Sequence, residues 1–79
     1  MIQRKEVPVN DEYSVAVVTE DMADGRWAFV ATIKHRSPSG EQIVDLPVQN
    51  ERYTDQHQAE DAGLTQARAW LTQNVPHVA

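Results

Sequence analysis

His35, His57 and His77 are the residues most able to ligate a metal or move a proton near neutral pH. They fall on a predicted strand end, a predicted first helical turn and a C-terminal tail, and no two have the i,i+4 or short-loop spacing of a metal site. Each therefore reads as a solvated or hydrogen-bonded side chain. Cysteine is absent, which removes thiolate zinc sites and disulfides together.

Other catalytic arrangements fail on spacing. Ser14, Ser37 and Ser39 have no Gly-x-Ser-x-Gly elbow around them, and Ser37 and Ser39 suit a turn better than a nucleophile. Glu41 and Asp45 lie four residues apart on one predicted strand, too far to share a proton. Gly25, Gly40 and Gly63 are too dispersed for a P-loop or a dinucleotide fingerprint, so cofactor phosphates have no cradle. The expectation is a protein that is not an enzyme, with no catalytic residue, no metal and no cofactor.

The elements that must hold these residues belong to a chain of 79 residues, which can build one modest core. The reading is a single domain over 1–79, with 1–11 a flexible arm or an extra strand and 75–79 a tail. A core of this size seldom supplies more than about 3–5 kcal/mol, and with neither disulfide nor metal, association with another chain is the expected reinforcement. Seven Lys and Arg against twelve Asp and Glu give a net charge of -5, which disfavours a phosphate backbone as partner. The charged start Met1-Ile2-Gln3-Arg4-Lys5-Glu6 leads into no signal-like run, and no stretch could span a bilayer. A cytoplasmic address with no membrane contact is expected.

Tyr13-Ser14-Val15-Ala16-Val17-Val18-Thr19 is rich in β-branched residues and predicts a strand. Gly25, closing the polar stretch after it, suits a type I turn with a bulge. Arg26 to Arg36 is the longest strand candidate, with Trp27, Phe29, Ala31 and Ile33 at period two directed to the core. Ser37-Pro38-Ser39-Gly40 is a turn, and a third strand begins at Glu41 and becomes an edge or ends at Pro47. A four-residue loop from Ser37 to Gly40 sets Arg36 opposite Glu41, Ile33 opposite Val44, Ala31 opposite Leu46 and Phe29 opposite Val48. In the first hairpin, Val15 and Val17 face the core if the bulge is present; a loop one residue different selects Ala16 and Val18.

Beyond Tyr53-Thr54 the period changes to 3.6, and a helix is expected from about Asp55 to Gln73, with Ala59, Gly63, Leu64, Ala67, Trp70 and Leu71 on one stripe. Asp55 or Thr54 caps its start, Asn74 takes a left-handed cap, and Pro76 forbids continuation. The small Ala59, Gly63 and Ala67 allow close approach to the sheet. Trp70 is expected to be the main anchor against Phe29, Ala31, Ile33 and Leu46. The fold class is thus α+β: a three-stranded antiparallel β-meander (β-β-β-α) with the C-terminal helix on one face.

One helix covers one face. The other carries Ala16, Val18, Ala28, Val30, Thr32 and Ile43, and an apolar patch left bare there suggests a partner surface, unless the N-terminal segment folds back over it through Ile2, Val7 and Val9 or scattered exposed valines are simply tolerated. Val18, Ala28, Val30, Thr32 and Ile43 are the candidate interaction face. Arg26, Lys34 and Arg36, with Arg4, Lys5 and Tyr13 nearby, are a candidate basic patch for nucleic acid.

The meander, the Tyr53-Thr54-Asp55 step and a helix with Ala59, Ala62, Ala67 and the ending Ala69-Trp70-Leu71 resemble small bacterial proteins of unknown function, over residues 12 to 72. The order of elements is also similar to the second half of double-stranded-RNA-binding domains, which carry a basic helix start. Here the helix opens Asp55-Gln56-His57-Gln58-Ala59-Glu60-Asp61 without a Lys cluster. The expected function is a non-enzymatic interaction module whose partner is itself, as a homodimer through the sheet, or another protein; the alternative is weak nucleic-acid binding through the basic sheet face.

Overall fold

The computed structural model describes residues 2–48 and 50–75. Four strands, β1 (Ile2–Pro8), β2 (Tyr13–Asp21), β3 (Trp27–Ser37) and β4 (Gly40–Asp45), precede one helix, α1 (Gln56–Asn74). The strands form one antiparallel sheet in the order β1-β2-β3-β4. The expected α+β meander with its C-terminal helix is present, but with a fourth strand.

That strand is the N-terminal segment. It pairs along β2 from Ile2 opposite Glu20 to Pro8 opposite Ser14. Its side chains hide it, because Val7 is the one apolar residue among those it directs to the core side, after Gln3 and Lys5. Main-chain pairing holds the strand, and Pro8 is tolerated because it ends an edge strand. Asn10 shapes the connection: its Oδ1 accepts the backbone N–H of both Glu12 and Tyr13 at 2.8 Å, an Asx turn that leads into β2.

The β2–β3 hairpin follows the bulged geometry. The Gly25 N–H donates to the Met22 carbonyl at 3.0 Å, the Met22 N–H donates to the Arg26 carbonyl at 2.7 Å, and Gly25 has φ +83°. Val15 consequently faces Ile33 and Val17 faces Ala31. Together with Phe29 and Leu46 these residues form the buried face of the sheet. Thr19 joins them at 1% exposure and accepts a hydrogen bond from Gln56 Nε2 at 3.4 Å, so a polar residue inside the core is satisfied by the first residue of α1.

In the β3–β4 hairpin Arg36 stands opposite Glu41 and Ile33 opposite Val44, as alternation predicts. The ladder runs one pair further than expected, to Ser37 opposite Gly40, leaving only Pro38 and Ser39 in the loop. The Leu46 N–H still donates to the Ala31 carbonyl at 3.0 Å. The expected pairing of Phe29 with Val48 does not form, and Val48 is 69% exposed. Pro47 offers no N–H to continue the ladder. The start of β3 is taken instead by Tyr53, which exchanges backbone hydrogen bonds with Trp27 at 2.8 and 2.9 Å.

Asp55 caps α1, its Oδ1 accepting the Gln58 N–H at 2.8 Å. Ala59, Gly63, Ala67 and Leu71 are the buried helix positions, whereas Trp70 and Leu64 flank the core half-buried. Trp70 is therefore not the anchor its size suggests: Ala67 and Leu71 hold the centre of the stripe. The helix end also differs from expectation. Asn74 stays helical, with its side-chain amide donating to the Trp70 carbonyl at 2.9 Å, and Val75 is the cap, donating its N–H to the Leu71 carbonyl at 2.7 Å. Val75, assigned from sequence to the tail, is part of the core. Residues 76–79, with Pro76 and His77, lie outside the described residues.

The helix packs on β2 and β3 and leaves β1 and β4 outside its footprint. Geometry requires this, since a helix is about 10 Å across and neighbouring strands are about 4.8 Å apart. Lys5 of β1 reaches across to Glu60 of α1 at 3.1 Å. No helix among the described residues is long and apolar enough to cross a membrane.

Candidate functional site

Register places the candidate face residues on the side of the sheet away from α1. Val18 is directly opposite Val30, Ala16 opposite Thr32, Glu20 opposite Ala28, and Ile43 opposite Lys34. The N-terminal segment does not fold over this face; it extends the sheet at its edge, adding Ile2, Arg4 and Glu6 to the same side. No described element lies across it. Val30 is 40% exposed, Ile43 58% and Ile2 64%.

The face is not uniformly apolar. Val18 and Val30 form a central pair, while Ile43 is set apart from them by Thr32 and Lys34. Ala16 is only 3% exposed, because it is a small residue between the larger Glu6 and Thr32. Charges frame the centre: Arg4 Nη2 and Lys34 Nζ each lie 3.5 Å from Glu6 Oε2, and the Thr32 hydroxyl donates to Asp45 Oδ1 at 3.4 Å.

The candidate basic residues are not gathered. Arg26 lies in the turn before β3, with its N–H bound to Asp24 Oδ1 at 3.0 Å. At about 3.3 Å per residue it is on the order of 26 Å from Lys34. Lys34 is paired with Glu6, and Arg36 pairs in register with Glu41. Lys34 and Arg36 line a polar hollow of about 220 Å³ together with Glu6, Glu12 and Glu41. Tyr13 also lines this hollow, and its ring stacks on that of His35, its register partner, with centroids 4.4 Å apart.

His35 and His57 are held in local contacts. His35 Nε2 is 3.5 Å from Glu12 Oε2, and His57 Nε2 is 3.4 Å from Asp61 Oδ2 one helical turn away. His77 lies outside the described residues. The Ser37 and Ser39 hydroxyls are 3.0 Å apart, and Ser37 also donates to the Gly40 carbonyl at 3.0 Å, so both serve the turn. Among the described residues no three His, Asp or Glu side chains gather as a metal site. Desolvation, and then the Glu51 carboxylate 3.2 Å from its hydroxyl, raise the Tyr53 phenol above its ordinary range.

The chain matches no family model, and neither the curated proteins nor the solved structures provide a significant match.

Proposed function

We propose that this protein is a non-enzymatic interaction module that associates with a second copy of itself through the open face of the sheet. The observation that supports this reading is the Val18–Val30 pair, with the exposed Ile2 and Ile43 further out on the same face, which no described element covers. Burying such a centre is favourable at roughly 25 cal/mol per Å² of apolar surface. Arg4, Glu6, Lys34 and Asp45 place charges of both signs around it. In a two-fold pairing each sign can meet its opposite, which is the anatomy of an apolar centre with a polar rim.

Nucleic acid has weaker support. Lys34 and Arg36 sit among carboxylates, Arg26 is distant, and among the described residues no exposed aromatic pair lies on this face for bases to stack on. Sedimentation equilibrium over a wide concentration range tests self-association. A dimer is expected for the natural chain, with Val30→Asp shifting it to monomer while leaving thermal unfolding of the dilute protein unchanged. A monomer at the highest concentration, or a dimer insensitive to Val30→Asp, refutes the reading.

A further inference from the structure

The sheet has four strands and the helix covers two, so the core side of β1 is open where Val7 lies. There the structure forms an apolar groove of about 370 Å³, floored by Val7 and Val15 and walled by Leu64 and Leu71, with Pro8, Val9 and Thr72 at one end. The volume falls within the range of small-molecule sites. Toward the start of α1, the Lys5–Glu60 ion pair bridges strand and helix at 3.1 Å. From Lys5 to Val9 the strand advances about 13 Å.

Arg68 is the charged residue lining this groove. Its backbone carbonyl accepts from the Thr72 hydroxyl, but its guanidinium has no ion-pair or hydrogen-bond partner among the described residues. Lys5, by contrast, is already neutralised by Glu60. In a chain of net charge -5, an unpaired guanidinium beside apolar walls offers a carboxylate two parallel N–H donors.

We propose that this groove binds a single-chain amphiphile with a carboxylate head, its alkyl chain of medium length lying along Val7, Val15, Leu64 and Leu71 and its head on Arg68. The site is on the opposite side of the sheet from the self-association face, and the two proposals stand or fall separately.

The test is a titration of the full chain with decanoate and with decanol, followed through the methyl resonances of Val7, Leu64 and Leu71. Decanoate should shift these signals saturably and bind at least tenfold more tightly than decanol. Arg68→Gln, at an exposed position, should abolish that preference while leaving decanol binding unchanged. Absence of saturable shifts with decanoate overturns the proposal, as does an anion preference that survives Arg68→Gln. Binding that appears only after removal of residues 76–79 also overturns it, because the groove would then belong to the chain's own C-terminus.

Discussion

A β-carbon on Gly63 would lie 2.6 Å from Val17 Cγ1 and 3.1 Å from Phe29 Cδ2. Helix α1 lies close on the sheet here, over two side chains that are themselves almost fully buried. Gly63 is in ordinary helical conformation, so its requirement is space and not a special φ.

Gly63→Ala is expected to destabilise the fold by about 1–2 kcal/mol. Alanine gains roughly 1 kcal/mol of helix propensity over glycine, but overpacking a close-packed core typically costs about 1–3 kcal/mol. Val17 cannot relieve the contact by rotating into solvent, since it is 1% exposed. Urea unfolding checks the sign. Adding Val17→Ala should make Gly63→Ala harmless or favourable, and the double-mutant cycle measures the coupling.

Leu71→Ala should be more damaging than Trp70→Ala, against the order of side-chain size. Leu71 is 2% exposed at the centre of the stripe, whereas Trp70 covers its margin. Truncating a buried leucine costs about 2–5 kcal/mol, comparable with the whole stability of a domain this small. Circular dichroism should find Leu71→Ala largely unfolded and Trp70→Ala folded with a lowered midpoint. The reverse order would place the helix face differently.

Alkaline pH should destabilise the protein in part through Tyr53. Its phenol is raised in the folded state, so the unfolded chain releases this proton first as pH rises. The contribution is fully present below the ordinary tyrosine value of about 10 and is lost as pH climbs through the higher folded value. Urea midpoints at pH 9 and pH 11 should fall less in Tyr53→Phe than in the natural chain. An equal fall in both would exclude Tyr53 as a source of the alkaline loss.

By itself the sequence determined the central hairpins and the stripe of the helix. Alternation of Phe29, Ala31 and Ile33, the turn residues Gly25, Pro38 and Gly40, and the 3.6-residue spacing of Ala59, Gly63 and Ala67 are local signals that side chains carry directly. The absence of cysteine closed off disulfides and thiol chemistry before any fold was considered. Tertiary structure alone decided the rest. β1 is held by backbone pairing that leaves little trace in its side chains, and Tyr53 displaces Val48 beside β3 because the chain returns after Pro47. Whether Leu71 or Trp70 is buried depends on a small rotation of the helix about its axis, to which a stripe this broad is insensitive. The open sheet face follows from β1 extending the sheet instead of crossing it, and the Arg68 groove from one helix covering only two of four strands. Both depend on where whole elements come to rest, and no local pattern of residues encodes that.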